Sequence, residues 1–212
     1  MRKSVAELQF ELRWKLSDAG IHDRQVLDAI ESIPRAEFVS LHFRPQAFDL
    51  DFPVPIGHGQ RMNLLIEDAL IAQELQLSGN ELVLEVGTGV GYLTVLLADL
   101  CRLVVTVDRI TSFADTARYF SKGRRNIEYR VGDGLLGFAE RAPFERIVVS
   151  AAVAEPPPRL VEQLRPGGIM LLPLGADSDQ VLTRCEKTSD GLLQLQGLRP
   201  CRFLPLVIAA DL

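Results

Sequence analysis

The residues of this chain whose types and spacing most suggest chemistry are three alternate glycines and a following acid. Gly87, Gly89 and Gly91 come after an apolar run that ends at residue 86, and Asp108 ends the next apolar run. Glycine has no Cβ, so such a turn can bring the backbone close to a ligand. The segment after the turn predicts a helix, whose free N–H groups and positive end would face that ligand. A carboxylate at Asp108 could then accept hydrogen bonds from both hydroxyl groups of a ribose.

The spacing of the glycines distinguishes between two classes of nucleotide. The dinucleotide fingerprint is G-x-G-x-x-G, whereas this chain has G-x-G-x-G, with Tyr92 where the third glycine would stand. Glu85 lies two residues before the turn, where an acid would repel a pyrophosphate but would suit a cationic amino group. S-adenosylmethionine has an adenosine, a cationic amino acid end and no phosphate, so we predict it as the cofactor. The alternative is a turn that only packs a helix on a sheet, which would leave both acids without a role.

Strand-like and helix-like segments alternate around the glycine turn and predict an α/β fold. Strands are predicted at residues 82–86, 103–107, 127–131, 146–152 and 169–174, with helices at 92–100, 110–120 and 156–164 and a turn at 165–168. The last apolar runs, at 181–186, 192–198 and 201–207, have short connections that favour antiparallel pairing. We predict a doubly wound, Rossmann-like, mostly parallel sheet of about seven strands, with an N-terminal helical extension and antiparallel C-terminal strands.

The first 65 residues precede this sheet and divide into a helical and an irregular part. Helical periodicity is present over 3–19 and 22–32, and the second helix ends at Ile33 because the residue before Pro34 resists the helical conformation. Residues 44–65 contain three prolines and two glycines and predict a long ordered loop, a kind of segment that is often functional. A helix over 66–77 follows. We expect an N-terminal cap with a substrate or cofactor loop, 1–65, and an S-adenosylmethionine-binding domain, 66–212, packed as one globular unit.

Two further positions have both a functional and a plain structural interpretation. Asp133 ends the predicted third strand, where a carboxylate could bind the adenine amino group; the alternative is an ordinary D-G turn. The predicted fourth strand ends in small residues that leave room for a ligand. His58, in the long loop, could act as a base, although a histidine that orders the loop or faces solvent is the simpler alternative.

The composition excludes several other classes of protein. The chain has 212 residues and a net charge of −5, with no basic block that would indicate binding to nucleic acid. No signal peptide and no apolar run long enough to cross a membrane is apparent. The three cysteines are far apart and the three histidines lack ligand spacing, so we expect free thiols and no metal site. We therefore expect a cytoplasmic protein.

The chain from about residue 8 to residue 207 resembles the protein-L-isoaspartate O-methyltransferase family. Six segments carry the resemblance in the family's order: the N-terminal helices with residues 25–27 and 33–39, P-I-G-H-G-Q at 55–60, the glycine motif at 85–92, G-D-G at 132–134, R-P-G-G at 165–168 and R-F-L-P-L-V at 202–207. The resemblance implies S-adenosylmethionine-dependent methylation of the free α-carboxylate of L-isoaspartyl residues in damaged proteins or peptides. The ester then cyclises to a succinimide, which reopens partly to normal aspartate.

The resemblance, together with the motifs above, predicts the residues of the site. The cofactor-binding residues are Glu85, Gly87, Thr88, Gly89, Gly91, Asp108, Arg109, Asp133 and Gly134. The substrate-binding residues are Ile56, His58, Gln60, Arg61, Phe203, Leu204 and Pro205. The active-site serine of the family corresponds to Asn63, which is therefore the predicted catalytic residue.

The loop that carries Asn63 departs from the family. The family usually continues G-Q-T-I-S-Q-P, whereas this chain continues G-Q-R-M-N-L-L over residues 59–65. A carboxylate acceptor, with a pKa of roughly 4, is already ionised and needs donors rather than a base. The Asn63 amide has donors. Arg61 could bind an acidic substrate bidentately, or it could face solvent.

Three functions remain open at this point. The first is an isoaspartyl methyltransferase with an altered loop. The second is a related enzyme that methylates another acceptor, such as a small molecule or an unidentified protein carboxylate. The third is a protein that binds S-adenosylmethionine without turnover. We expect a monomer, with a dimer as the alternative.

Overall fold

The computed structural model describes residues 5–121, 123–176 and 179–207. The α-helices are α1 (Val5–Asp18), α2 (Arg24–Ser32), α3 (Leu65–Glu74), α4 (Tyr92–Leu100), α5 (Thr111–Phe120) and α6 (Pro158–Gln163). The strands are β1 (Pro55–Gly57), β2 (Gln60–Arg61), β3 (Leu82–Val86), β4 (Leu103–Asp108), β5 (Ile127–Val131), β6 (Phe144–Val149), β7 (Leu164–Leu174), β8 (Val181–Lys187) and β9 (Leu193–Pro200). Short 3₁₀ helices cover Arg35–Phe38, Leu41–Phe48, Gly134–Leu136 and Ala139–Arg141.

Seven of the strands form one sheet in the order β5-β4-β3-β6-β7-β8-β9. The strands from β5 to β7 are parallel, whereas β8 and β9 are antiparallel to their neighbours. The chain runs from β3 outward to β4 and β5 and then returns to place β6 on the other side of β3. In sheets of this kind a crevice opens at the carboxyl ends of the strands where the order reverses. The predicted fold class is confirmed, and the crevice is expected between β3 and β6.

The central strands β3, β4 and β6 are largely buried, as expected for parallel strands covered on both faces. Along β3, Val83 belongs to the apolar cluster that includes α1 to α4, and Leu84 belongs to a second cluster that includes α6. Successive side chains of a strand point to opposite faces. The side chain of Glu85 is therefore directed to the same face as Val83, toward α4.

The N-terminal helices form as the sequence predicts, for local reasons. Asp23 begins α2 by accepting hydrogen bonds from the backbone N–H groups of Gln25 and Val26, at 2.8 and 3.3 Å. The helix ends before Ile33, whose backbone is extended. The predicted start of the first helix at residue 3 lies outside the described residues.

Residues 44–65 have more regular structure than the predicted loop. They contain the end of a 3₁₀ helix and the hairpin of β1 and β2. His58 and Gly59 form its turn with positive φ angles of 52° and 69°. The hairpin is held to the preceding chain by the Met62 backbone N–H, which donates to the Val54 carbonyl at 2.8 Å.

The predicted strand at residues 201–207 is wrong. This segment makes only an isolated bridge between Pro205 and Ala152, while β9 already occupies the position beside β8. The backbone N–H of Ala152 donates to the Leu204 carbonyl at 2.8 Å, and that of Leu206 donates to the Ala152 carbonyl at 2.9 Å. The segment is thus drawn back across the end of β6, and we call residues 201–207 the closing segment.

Two predicted boundaries also shift. The fourth strand of the parallel part, β6, ends at Val149 rather than at residue 152, so Ser150 and Ala151 lie beyond it at the edge of the sheet. The predicted turn at 165–168 falls inside the bounds of β7 as an irregularity in its pairing with β6. Gly167 has a φ of 74° there. Within the described residues, no helix is both long and apolar enough to span a membrane.

Candidate functional site

A cleft lies at the carboxyl ends of β3, β4 and β6, where the strand order reverses. Up to its open mouth it contains about 870 Å³ of space, part of which is open to solvent. Its walls come from the β1–β2 hairpin, the start of α3, the glycine turn, the end of β4, the chain after β6 and the closing segment. Among the lining residues are Ile56, Gln60, Met62, Asn63, Asp68, Gly87, Gly89, Val90, Asp108, Arg109, Ile110, Phe113, Gly134, Ser150 and Pro205.

The first two glycines of the turn form the floor of this cleft. Gly87 and Gly89 have positive φ angles of 99° and 52°. A Cβ at Gly87 would lie 3.3 Å from the Ser150 Cβ, and one at Gly89 would lie 3.4 Å from the Ile56 Cδ1. Glycine is therefore favoured at both positions by the backbone conformation, and at Gly87 also by the close approach of Ser150.

Asp108 is joined to this turn by its carboxylate. One oxygen accepts the backbone N–H of Gly89 at 2.9 Å, and the other accepts that of Ile110 at 2.9 Å. Each carboxylate oxygen retains a further lone pair. The acid therefore fixes the turn and can still accept hydroxyl protons from a ligand in the cleft, which fits a ribose.

Three of the predicted cofactor-binding residues lie behind the cleft and do not line it. Glu85 is fully buried and accepts a hydrogen bond from the Thr94 hydroxyl of α4 at 2.5 Å. Burial raises the pKa of Glu85 to about 8, although hydrogen bonds from threonine hydroxyls lower it. The hydroxyls of Thr88 and Thr106 are 2.7 Å apart in the interior. Glu85 and Thr88 thus support β3, β4 and α4.

Gly91 is the third residue of this kind, and it has a packing role. Its φ is 88°, and a Cβ there would come within 2.6 Å of the Ala117 Cβ in α5. The third glycine of the motif is therefore required for α4 to begin close against α5.

In the G-D-G turn after β5, one residue lines the cleft and another has a structural role. Gly134 lines the cleft, and a Cβ there would meet the Val86 side chain. The Asp133 carboxylate accepts the backbone N–H of Leu135 at 2.9 Å and begins a short 3₁₀ helix. Asp133 is not among the residues that line the cleft, whereas Arg109 is, at its exposed rim.

Asn63 lies in the cleft and is held by three residues from other parts of the chain. Its Nδ2 donates to the Asp68 carboxylate at 2.9 Å and to the Ser150 hydroxyl at 3.3 Å. Arg35 donates to the Asn63 carbonyl at 2.7 Å and to the Asp68 carboxylate at 3.1 Å. Arg35 and Asp68 are 3% and 2% exposed, so this ion pair is buried. Burial raises the pKa of Asp68, and its partners Arg35 and Asn63 lower it.

Of the predicted substrate-binding residues, some line the cleft and others hold its walls in place. Ile56, Gln60 and Pro205 line the cleft. Phe203 is buried, and its backbone is held on both sides by the Gln180 amide, at 2.7 and 3.1 Å. Leu204 contributes the carbonyl that ties the closing segment to Ala152.

His58 and Arg61 are not among the residues that line the cleft. The His58 ring lies 3.0 Å from the Ser112 hydroxyl and packs edge-on against Phe113. Arg61 donates to the backbone carbonyl of Arg202 at 2.7 Å, which ties the hairpin to the closing segment. His58 and Arg61 therefore order the walls of the cleft in this structure.

Sequence reasoning missed three polar residues of the site: Arg35, Asp68 and Ser150. Asp68 is one of two acids in the first turn of α3, so the sequence did not single it out. Arg35 follows a helix end and gave no sign that it is buried. Ser150 was overlooked because the fourth strand was predicted to run through it.

The arrangement has the requirements of a small-molecule cofactor site beside an acceptor site. The glycine floor and the Asp108 carboxylate fit the ribose of an adenosine, because the carboxylate can accept its hydroxyl protons. The part of the cleft beside this floor is lined by the polar side chains of Asn63, Asp68 and Ser150. A seven-stranded sheet with antiparallel C-terminal strands and a cleft of this kind defines a Rossmann-like methyltransferase fold.

Comparison with known proteins identifies the family. The protein-L-isoaspartate(D-aspartate) O-methyltransferase (PCMT) family matches residues 7–210. A protein-L-isoaspartate O-methyltransferase of Anaeromyxobacter dehalogenans is 46% identical over 200 residues, covering 92% of this chain and 95% of that protein. One from Parvibaculum lavamentivorans is 41% identical over 204 residues, covering 94% and 91%. The chain belongs to the PCMT family, as its motifs predict.

Solved structures that carry the name protein-L-isoaspartate O-methyltransferase share the fold. One protein-L-isoaspartate O-methyltransferase has a TM-score of 0.82 and 23% identity; the match covers 93% of this chain and 65% of that longer one. A PCMT of Plasmodium falciparum, solved in complex with S-adenosyl-L-homocysteine, has a TM-score of 0.78 and 22% identity, with 93% and 97% covered. The sheet and its flanking helices are therefore those of the family.

Proposed function

We propose that this protein transfers a methyl group from S-adenosylmethionine to the free carboxylate of L-isoaspartyl residues in proteins or peptides. The PCMT family consists of S-adenosylmethionine-dependent methyltransferases, so the class of enzyme and the cofactor predicted from the glycine spacing are confirmed. The observation that supports this acceptor is that Asn63 and Ser150 line the same cleft as Gly87, Gly89 and Asp108. The relatives do not favour another acceptor or a protein without turnover.

The residues that we assign to the cofactor are those that face the cleft. Gly87, Gly89 and Gly134 would let the backbone approach the cofactor, and Asp108 would accept the ribose hydroxyls. Ile110 and Phe113 supply apolar surface on the same side. We assign Glu85 and Thr88 to the support of this side of the cleft, because their side chains bond within the interior.

The chemistry requires the protein to position an acceptor rather than to activate it. When bound, the cofactor supplies a methyl group on a sulfonium, which an ionised carboxylate oxygen attacks in line as the bond to sulfur breaks. Holding the reacting groups in line can account for much of the rate. Asp68 is ion-paired with Arg35 and accepts the Asn63 N–H, so we assign it to positioning rather than to proton transfer. A carboxylate needs none, which supports this acceptor.

We propose a peptide or protein as the partner, and a division of the chain that matches its two tasks. Residues 1–65 would form the cap with the acceptor loop, and residues 66–212 would form the cofactor-binding domain. A single apolar cluster that includes residues of α1, α2 and α4 supports their packing as one unit. The unpaired cysteines, Cys101, Cys185 and Cys201, support a reducing location such as the cytoplasm. We propose a monomer as the working state.

The test is methyl transfer from labelled S-adenosylmethionine to an isoaspartyl peptide. The same peptide with a normal aspartyl residue is the control, and calorimetry on the same sample measures cofactor binding. Transfer to the isoaspartyl peptide alone is the expected result. Binding of the cofactor without transfer would contradict the proposed acceptor and would leave the methyltransferase fold unaffected.

A further inference from the structure

The structure raises the question of which group holds the acceptor carboxylate, given that Asn63 stands where the family has serine. Both amide hydrogens of Asn63 already bond within the protein, one to Asp68 at 2.9 Å and one to Ser150 at 3.3 Å. An ionised carboxylate only accepts hydrogen bonds, so the Asn63 nitrogen must face Asp68. The remaining polar atom of the amide is its oxygen. An oxygen would repel an acceptor carboxylate rather than bind it.

The orientation of Asn63 is held firmly from behind. Arg35 faces the Asp68 carboxylate at 3.1 Å in the interior, and a buried cation requires a charged partner. Arg35 also bonds the Asn63 carbonyl at 2.7 Å. If the amide turned over to present its donors to the cleft, its oxygen would face the Asp68 carboxylate. The chain Arg35–Asp68–Asn63 therefore directs one N–H toward Ser150.

Ser150 lies where a donor to the acceptor is needed. It follows β6 directly at the reversal of strand order, and its backbone N–H donates to the Val86 carbonyl of β3 at 2.8 Å. Its Cβ stands next to Gly87, on the floor of the cleft. Its hydroxyl accepts the Asn63 N–H, which is the one side-chain hydrogen bond of Ser150 among the described residues. The hydroxyl proton remains free to be donated into the cleft.

We propose that the Ser150 hydroxyl donates a hydrogen bond to the acceptor carboxylate and that Asn63 is a positioning residue that aims this hydroxyl. This inference rests on the proposed function. The hydroxyl that the family's loop supplies would here come from the end of β6, with Asn63 as the link between the two. No proton is transferred; the hydrogen bond holds one carboxylate oxygen while the other attacks the methyl group.

The experiment places one hydroxyl at either position and compares isoaspartyl peptide kinetics. Four proteins are made: the natural chain, Ser150→Ala, Asn63→Ser, and the double variant Asn63→Ser/Ser150→Ala. Ser32→Ala, a hydroxyl outside the cleft that donates to the Ala29 carbonyl, is the matched control. Cofactor affinity and melting temperature are measured on every protein. If Ser150→Ala fails to fold, Ser150→Cys replaces it, because a thiol has a similar shape and is a weak donor.

We expect Ser150→Ala to lower kcat/KM for the isoaspartyl peptide by about 10- to 100-fold, the usual cost of a lost hydrogen bond to a charged group. Cofactor affinity and the Ser32→Ala control should change less than about twofold. The same loss should shrink to less than about fivefold when Asn63 is already serine, because the loop then provides the hydroxyl.

Two results would overturn the inference while leaving the proposed function intact. One is full activity of Ser150→Ala. The other is an equal loss from Ser150→Ala in both backgrounds, which would mean that Ser150 acts through the fold alone. Inactivity of the natural chain with normal cofactor binding is a separate result: it would overturn the proposed function, and the inference with it.

Discussion

The two halves of the cleft are built in different ways. The proposed cofactor half is made largely of backbone from one continuous piece of chain, from β3 to Ile110, and the Asp108 side chain is hydrogen-bonded to its turn. The proposed acceptor half is made of side chains from several elements, since Asn63 is held by the nearby Asp68 and by the distant Arg35 and Ser150. The first half depends on where glycine is allowed, and the second depends on which side chains meet.

This difference explains why the loop can depart from the family while the glycine turn does not. A backbone site fails when a Cβ enters it, so few residue types are tolerated. A side-chain site can supply the same donor from another position if the polar groups remain satisfied. The predictions below test this contrast, beginning with the largest expected effect.

Arg35→Met should damage the acceptor half most. It leaves the Asp68 carboxylate buried without its cation, and removing one partner of a buried pair typically costs about 3–5 kcal/mol. Urea denaturation would measure the lower free energy of unfolding. The double variant Arg35→Met/Asp68→Leu is the control, and it should be less destabilised than the single one. Equal stabilities of Arg35→Met and the natural chain would contradict a structural role of the pair.

Gly89→Val should break the cofactor half. Valine is strained at a φ of 52°, and its branches would enter the cleft beside Ile56. We expect the affinity for S-adenosylmethionine, measured by calorimetry, to fall by more than about 100-fold, which corresponds to about 2.7 kcal/mol. Gly79→Val is the matched control, because Gly79 also has a positive φ, of 92°, but lies in open space. Normal binding by Gly89→Val would show that the turn does not contact the cofactor.

Asp108→Ala should weaken cofactor binding by about 1–3 kcal/mol, because a charged acceptor of hydrogen bonds is lost. It also removes the partner of the Gly89 and Ile110 N–H groups. Calorimetry gives the change in affinity. Asp99→Ala, which breaks an ion pair with Arg124 outside the cleft, should leave the affinity unchanged. An unaltered affinity for Asp108→Ala would remove Asp108 from the cofactor site.

Glu85→Gln tests whether Glu85 is buried in its protonated form in the folded protein. The pKa of Glu85 is raised to about 8 by burial, so the folded protein holds a proton that the unfolded chain has lost above about pH 5. The free energy of unfolding contributed by this group therefore falls between about pH 5 and pH 8 and levels off above that.

The glutamine side chain of this variant does not titrate, so the variant should gain in melting temperature relative to the natural chain as the pH rises. The difference in melting temperature between the variant and the natural chain should be several degrees more in favour of the variant at pH 9 than at pH 5. A change of about 1 kcal/mol corresponds to about 2–4 °C for a chain of this size. Glu162→Gln, on the exposed face of α6, should show no such trend. A constant difference across the pH range would contradict the burial of a protonated Glu85.

Arg61→Ala should have the smallest effect. Arg61 bonds a backbone carbonyl of the closing segment and is not among the residues that line the cleft, so we expect less than about 1 kcal/mol in the free energy of unfolding. The KM for an isoaspartyl peptide should change less than about threefold. A rise in KM of tenfold or more with unchanged stability would instead assign Arg61 to substrate binding.

The sequence by itself determined the sheet, the glycine turn and the family. The order of strands and helices follows from periodicity along the chain, and Gly87, Gly89 and Asp108 belong to one local motif. Such features are visible because each depends on residues a few positions apart.

Only the tertiary structure decided which residues face the cleft and which support it. Glu85 and Gly91 belong to the same motif as Gly89, yet one is directed under α4 and the other packs against Ala117. The predicted strand at 201–207 became the closing segment because β9 already lies beside β8. The orientation of Asn63 depends on Arg35 and Ser150, which lie far from it in the chain. The packing of the elements determines which side chains are buried and which donors meet which acceptors. These contacts join residues far apart in the chain, so a local sequence pattern does not predict them.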